Sequence, residues 1–257
     1  MSPRRPRLLV ITTSFAPERA IGSVRVSRFV KYLVRRGYDI TVVSPALQAD
    51  TPLDADRKWR PANYGDDYTG GEITLREAFT RSSNVAAVRL AERVGPDAVV
   101  EAAQDLGIES ELAAEPSIAL GTSEVGLLEL TAAFASLASE SVPVEPHGIP
   151  YDEPPDEGGP LTLEERGMLL DLLWGAANEG TGRAAVPPRR AVFGKTGTTQ
   201  DYRDAWFIGL VGDLAIGVWV GNDDASPMDG VTGGGLPAEI WRDVAREAVR
   251  IREADAR

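Results

Sequence analysis

Residues 194–223, GKTGTTQDYRDAWFIGLVGDLAIGVWVGND, contain the strongest strand pattern in the chain. Two runs rich in apolar, β-branched and aromatic residues, 205–211 and 214–220, are separated only by Gly212 and Asp213. A two-residue connection with glycine at its first position is typical of a tight β-hairpin. The segment therefore predicts two adjacent antiparallel strands.

Helical periodicity dominates the region before this hairpin. Apolar residues recur at three- and four-residue spacing in five segments, and Thr162-Leu163-Glu164-Glu165 forms a capping-box sequence at the start of the last one. The five segments are residues 74–80, 85–93, 97–106, 126–138 and 163–178. A short strand-like run at 191–193 precedes the hairpin, and an amphipathic segment at 238–254 follows it. This order predicts an α+β fold with an antiparallel sheet.

The first 47 residues differ in pattern and in charge. Residues 8–12 and 40–43 are typical of buried strands, and residues 24–36 carry an apolar stripe typical of a helix. This order predicts a β-α-β unit and the beginning of a parallel sheet. The segment has a net charge of +7, whereas residues 48–257 carry −19.

Composition excludes several classes of function. The chain has no cysteine and one histidine, His147, so thiolate nucleophiles and cysteine- or histidine-rich metal sites are excluded, and we expect neither a metal nor a cofactor. A net charge of −12 disfavours binding to nucleic acid. The apolar run after the first arginines is too short for a signal peptide, and no stretch is long enough to predict a membrane span.

The sequence Lys195-Thr196-Gly197-Thr198 offers the groups that a carboxylate ligand requires. The lysine supplies a cation, the threonines supply hydroxyl donors, and Gly197 lets a ligand approach the backbone. A strand edge at this point could also pair with an extended peptide. By itself, such a sequence more often contains a solvated lysine before a turn. Ser82-Ser83-Asn84, taken by itself, is likewise more often the N-cap of a helix.

Together, Ser82-x-Asn84 and Lys195-Thr196-Gly197 are two of the three signatures of the serine acyltransferases that include penicillin-binding proteins and class A β-lactamases. Residues 58–250 resemble the transpeptidase domain of class A, bifunctional penicillin-binding proteins. The stretches that carry this resemblance are WRPANYGDDYTGGEITLREAFTRSSNVAAVRLAERVG, PSIALGTSEVGLLELTAAFASLA, GTGRAAV, the segment 194–223 and GGGLPAEIWRD. The resemblance implies an incomplete α+β fold of the penicillin-binding-protein and β-lactamase type.

The resemblance also implies a function and a set of ligands. Family members cross-link bacterial peptidoglycan at the cell envelope, outside the cytoplasm. The implied partners of this chain are therefore the D-Ala-D-Ala end of a peptidoglycan stem peptide and β-lactams, bound weakly and without a covalent bond.

Roles for individual residues follow from the same resemblance. Ser82 would relay protons, and Asn84 would hydrogen-bond the stem peptide. Lys195, with the substrate-binding residues Thr196, Gly197 and Thr198, would hold the terminal carboxylate, and the backbone N–H of Thr198 would form half of an oxyanion hole. His147 lies at a position that also resembles the family, and no role is assigned to it.

The third signature of the family, the Ser-x-x-Lys motif that supplies its nucleophile, is absent from these 257 residues. Covalent catalysis requires that serine next to a base one helical turn later. The residues three positions before Lys31, Lys58 and Lys195 are arginine, alanine and valine. We therefore expect a domain related to transpeptidases that is catalytically inactive.

Residues 1–47 resemble the opening of retaining glycosyltransferases built from two Rossmann-like domains, on the stretch RLLVITTSFAPERAIGSVRVSRFVKYLVRRGYDITVVSP. The predicted organisation is a Rossmann-like fragment at 1–47, a linker at 48–58 and a transpeptidase domain at 59–257. A glycosyltransferase fragment and a non-enzymatic interaction or scaffold protein are the alternative functions. The difference in charge and pattern predicts few contacts between residues 1–47 and the rest of the chain.

Overall fold

The computed structural model describes residues 7–14, 40–43, 74–139, 143–146 and 161–255. The helices within these ranges are α1 Leu75–Thr80, α2 Asn84–Val94, α3 Pro96–Asp105, α4 Leu127–Ala138, α5 Leu163–Asn178 and α6 Leu236–Asp255. The strands are β1 Arg7–Ser14, β2 Ile40–Val43, β3 Phe193–Thr198, β4 Asp204–Val211 and β5 Leu214–Gly221. The helix predicted at 24–36, the linker at 48–58 and His147 lie outside the described residues.

The helices agree with the sequence pattern because their ends carry strong local signals. The five segments predicted between 74 and 178, and the segment at 238–254, are all helices whose ends differ from the prediction by two residues or fewer. The predicted capping box is present at α5, where the Thr162 hydroxyl accepts from the backbone N–H of Glu165, and the Glu165 carboxylate accepts in return from the backbone N–H of Thr162. These reciprocal bonds satisfy two donors that a helix start leaves without partners.

The predicted hairpin is confirmed. β4 and β5 pair antiparallel from Asp204 opposite Gly221 to Val211 opposite Leu214, and Gly212 has a positive φ of 60° at the turn. β3 then pairs antiparallel with β4. The prediction that Lys195 lies on a strand beside the hairpin is confirmed, because the strand-like run at 191–193 continues as β3 and pairs with β4 as far as Thr198. Lys195 therefore lies within a strand, opposite Ile208.

The β4–β5 hairpin is packed on both faces. On one face, Trp241 of α6 is fully buried, donates from Nε1 to the carbonyl of Ile216 at 2.9 Å and meets Phe207 edge to face with 5.2 Å between ring centroids. On the other face α4 packs against β5, where a Cβ on Gly217 would lie 2.1 Å from the Thr131 hydroxyl. Glycine at this position therefore lets α4 approach the sheet closely.

The N-terminal strands belong to the same sheet, whose order is β2-β1-β5-β4-β3. β1 and β2 are parallel, as the β-α-β pattern predicted. The expectation of few contacts with the rest of the chain is wrong for β1, which pairs in parallel with β5 along eight residues, from Arg7 opposite Leu214 to Ser14 opposite Gly221. The physical reason is that β5 would otherwise present an unpaired edge, and backbone pairing depends little on the net charge of the pairing segment.

Pairing between β1 and β5 predicts that a proline in β1 disturbs β5. Val10 lies in the middle of β1, opposite Gly217, and proline at a central strand removes a ladder donor. We expect Val10→Pro to accelerate amide hydrogen exchange in β5, whereas Val10→Ala, which keeps the N–H, leaves the exchange close to wild type. Hydrogen exchange read by mass spectrometry measures this difference. Equal protection of β5 in the two variants would show that β1 does not cover this edge.

Candidate functional site

The turn between α1 and α2 determines the position of Ser82. The N–H of Ser83 donates to the carbonyl of Ala78 at 2.9 Å, and the N–H of Ser82 donates to the carbonyl of Phe79 at 3.0 Å. These are the two bonds of a Schellman motif, in which one residue takes the left-handed conformation that usually selects glycine. That residue is Ser82, with a φ of 57°. The hydroxyl of Ser83 caps α2 by accepting from the N–H of Ala86.

Lys195 meets Ser82 across the site. The ammonium nitrogen of Lys195 lies 2.6 Å from the Oγ of Ser82 and 3.1 Å from the carbonyl oxygen of Thr196. It also lies 5.8 Å from the centroid of the Phe79 ring, within the range of a cation–π contact. Residues 113 positions apart in the chain thus form one polar pair. The prediction that Ser82 is brought close to Lys195 is confirmed.

Burial lowers the pKa of Lys195 from 10.5 to about 8. Desolvation disfavours the charged form of a lysine, and it is the cause of this lowered pKa. At neutral pH the side chain is still mainly protonated, and it can lose its proton more readily than a surface lysine. It can therefore act both as a cation for a ligand carboxylate and as a partner in proton transfer with the Ser82 hydroxyl.

The two threonines of the strand have their own partners. The Oγ1 of Thr196 lies 2.7 Å from the Oγ1 of Thr181, in the loop after α5. The Oγ1 of Thr198 accepts from the backbone N–H of Gly233 at 3.0 Å, in the loop before α6. Both threonine hydroxyls are therefore tied to neighbouring loops.

β3 forms one edge of the sheet. The N–H of Thr199 donates to the carbonyl of Asp204 at 2.9 Å, next to the paired residues Thr198 and Ala205. Because the bonds of an antiparallel pair alternate along a strand, the main-chain groups of Thr198 are directed away from β4. An extended peptide could pair with the strand here, and the N–H of Thr198 is oriented to donate to it.

The remaining predicted residues lie in the same elements. Asn84 is the first residue of α2, two positions after Ser82, and it is exposed. Gly197 lies in β3 opposite Trp206, whose Cβ would be 3.2 Å from a Cβ added to the glycine. Gly197 thus has a packing role next to the predicted role in ligand approach.

Sequence reasoning gave no role to Phe79, Thr181 or Gly233. Thr181 lies in the stretch GTGRAAV and Gly233 in the stretch GGGLPAEIWRD, and both stretches carry the family resemblance. That resemblance is the feature of the sequence that could have pointed to these two residues. Their contacts with Thr196 and Thr198 could not be derived from the sequence, because the loops come from different parts of the chain. No group of His, Asp or Glu suited to a metal ion, and no helix long and apolar enough to cross a membrane, occurs in the described part of the chain.

A family model, that of the penicillin binding protein transpeptidase domain, matches residues 37–245. The chain belongs to this family. The match begins within residues 1–47, for which the sequence predicts a separate Rossmann-like fragment, and it includes β2. The glycosyltransferase resemblance of residues 1–47 finds no counterpart in this family match.

Relatives of the transpeptidase family share substantial sequence with the chain. It is 38% identical over 204 residues to penicillin-binding protein 1A of Aquifex aeolicus, covering 75% of this chain and 28% of that protein. It is 29% identical over 236 residues to penicillin-binding protein 2D of Bacillus subtilis, covering 84% of this chain and 34% of that protein. The chain thus spans about a third or less of the length of these relatives.

Solved structures of the family share the fold. Penicillin-binding protein 1A from Haemophilus influenzae matches with a TM-score of 0.63 at 21% identity, over 79% of this chain and 38% of that one. Penicillin-binding protein A from M. tuberculosis, solved as an imipenem acyl-enzyme complex, matches with a TM-score of 0.55 at 21% identity, over 86% of this chain and 58% of that one. The helices and antiparallel strands of this chain therefore match part of the fold of these structures.

The lowered pKa of Lys195 predicts how the stability of the domain varies with pH. The unfolded lysine binds its proton up to about pH 10.5, whereas the folded one releases it near pH 8, so burial of the cation destabilises the fold below pH 8. We expect the free energy of unfolding to increase as the pH rises from 8 to 10.5. This increase should be absent in Lys195→Met. It should still be present in Arg250→Met, which removes the same charge from the surface of α6.

Chemical denaturation across this pH range measures the stability profile, and NMR of 13C-methylated lysines measures the titration itself. Identical profiles for the wild type and Lys195→Met, with Lys195 titrating near 10.5, would contradict the prediction.

Proposed function

We propose that this chain binds the carboxylate end of a D-Ala-D-Ala stem peptide of peptidoglycan, or of a β-lactam, along β3 and without forming an acyl-enzyme. The observation that carries the proposal is the 2.6 Å contact between Lys195 Nζ and Ser82 Oγ beside the edge of β3. The relatives support the ligand class, since they are penicillin-binding proteins and one solved member is an imipenem acyl-enzyme complex.

Recognition of the carboxylate would use groups that lie together at this edge. Lys195 supplies the positive charge, the hydroxyls of Thr196 and Thr198 donate hydrogen bonds, and the peptide backbone of the ligand pairs with β3. Charge-assisted hydrogen bonds of this kind contribute about 1.5–3 kcal/mol each. Asn84, at the exposed start of α2, would bond the stem peptide farther from its end.

Acylation would need a nucleophile, and the Ser-x-x-Lys motif that provides the nucleophilic serine in the family is absent from these 257 residues. No serine stands three positions before any of the three lysines of the chain. Ser82 and Lys195 form a hydrogen-bonded pair that can move a proton, and we assign the pair that role rather than attack on a carbonyl. Binding and proton transfer would thus be retained without the covalent step.

For residues 1–47 we propose descent from a glycosyltransferase start, without sugar transfer, joined through 48–58 to the transpeptidase domain. Pairing of β1 with β5 supports a structural role for this segment. No described contact favours a glycosyltransferase or scaffold function over carboxylate binding.

The carboxylate proposal is tested with acetyl-Lys-D-Ala-D-Ala and its C-terminal amide, which lacks the charge. We expect the acid to bind more tightly than the amide at pH 7, and Lys195→Met to lower the affinity for the acid by about 10- to 100-fold while leaving the amide unaffected. Affinity for the acid should fall as the pH rises past about 8, because Lys195 then loses its proton. Isothermal titration calorimetry measures these affinities, with Arg250→Met as the control. Equal binding of acid and amide by the wild type would refute the proposal.

Absence of the covalent step is tested by intact-mass spectrometry after incubation with benzylpenicillin. We expect no stoichiometric adduct on the wild-type chain. Ser82→Gly is the matched variant, because glycine suits the left-handed position and lacks the side chain that carries the hydroxyl. An adduct on the wild type that maps to Ser82 and is lost in Ser82→Gly would show that Ser82 acts as a nucleophile and that binding is covalent.

A further inference from the structure

We propose that Thr181 and the backbone of Gly233 are positioning groups, which fix the hydroxyls of Thr196 and Thr198 so that both hydroxyl protons point to a bound carboxylate. This inference rests on the proposed function for its ligand. Its geometric part concerns the protein alone and can be tested without any ligand.

A threonine hydroxyl carries one proton and two acceptor lone pairs, and it rotates to suit its neighbours. Such a group can donate to a ligand only when its proton is not already used inside the protein. The partner of each hydroxyl therefore decides whether β3 presents a donor or an acceptor to a carboxylate. A partner that can only donate leaves the hydroxyl proton available.

Gly233 is a partner of that kind. Its backbone N–H donates to the Oγ1 of Thr198 at 3.0 Å, so Thr198 is the acceptor in this bond and keeps its proton. Thr198 is exposed, and the proton can therefore reach a ligand. The bond also fixes the side chain of Thr198 against the loop before α6.

Thr181 acts on the neighbouring threonine. The two Oγ1 atoms of Thr181 and Thr196 are 2.7 Å apart, and either can donate. When a carboxylate is bound, it accepts the Thr196 proton, and Thr181 then donates to the lone pair of Thr196. Thr181 thus stabilises the rotamer in which Thr196 donates to the ligand.

Glycines hold both loops at the required distance. A Cβ on Gly233 would lie 2.4 Å from the carbonyl oxygens of Gly197 and Trp206, and a Cβ on Gly234 would lie 2.5 Å from the carbonyl oxygen of Thr181. Atoms this close clash, so the loop before α6 reaches β3 and the Thr181 loop only with glycine at these positions. β3, the loop that contains Thr181 and the loop before α6 are thus packed against one another. A displacement of either loop would move both Thr181 and Gly233.

Thr181→Val and Thr181→Ser test the role of the Thr181 hydroxyl. Valine keeps the shape and removes the hydroxyl, whereas serine keeps the hydroxyl. We expect valine to weaken binding of acetyl-Lys-D-Ala-D-Ala by about 3- to 10-fold without changing binding of its amide, and serine to restore the affinity to within about twofold. Thr122→Val is the control, because it removes a threonine hydroxyl that donates to Ser117 instead.

Two readouts need no ligand. NMR three-bond couplings report the χ1 rotamer of Thr196, which we expect to be single in the wild type and Thr181→Ser and averaged in Thr181→Val. Hydrogen exchange reports the N–H of Gly233, which should be protected in the wild type and Thr198→Ser and should exchange faster in Thr198→Val.

An unchanged Thr196 rotamer in Thr181→Val and an unchanged exchange rate of Gly233 in Thr198→Val would overturn the positioning role, whatever the ligand result. If the wild type does not distinguish the acid from the amide, the proposed function fails, and these two readouts still decide whether the hydroxyls are positioned. Loss of affinity in Thr181→Val that serine does not restore would assign Thr181 to packing and also overturn the proposal.

Discussion

Burial of the β4–β5 hairpin on both faces is the constraint on which the other described elements depend. α6 covers one face through Trp241, and α4 covers the other where Gly217 allows close contact with Thr131. β1 pairs along the outer edge of β5, and β3 pairs along the outer edge of β4. The side of β3 that faces away from β4 is therefore an edge of the sheet. An extended ligand needs such an edge strand for backbone pairing.

A partly buried ammonium organises the site at that edge. Lys195 has lost part of its hydration, and its partners are the hydroxyl of Ser82, the carbonyl of Thr196 and the ring of Phe79. Such neutral partners stabilise the cation less than a carboxylate would, which is why its pKa is low and why a ligand carboxylate would bind favourably. The Schellman turn holds Ser82 in place, because two backbone hydrogen bonds fix a left-handed conformation that serine rarely adopts.

The proposed carboxylate recognition and acyl transfer require different groups of the protein. Recognition requires a cation, hydroxyl donors and a strand edge, and all three occur between β3 and the turn before α2. Acyl transfer through the family's motif requires a second serine and lysine pair, which these 257 residues do not contain. The contact between Ser82 and Lys195 therefore forms in this chain without that motif.

Local signals in the sequence determined the described helices and the hairpin, and they selected Ser82 and Lys195, which the structure brings into contact. Helix caps, the Gly212 turn and the two signatures act over a few residues, so they can be recognised without tertiary contacts. Only the tertiary structure decided that β1 covers β5, and that Thr181 and Gly233 contact the two threonines. Strand pairing and loop contacts join residues far apart in the chain, and their energies depend on which backbone edges remain unpaired, which a linear pattern does not encode.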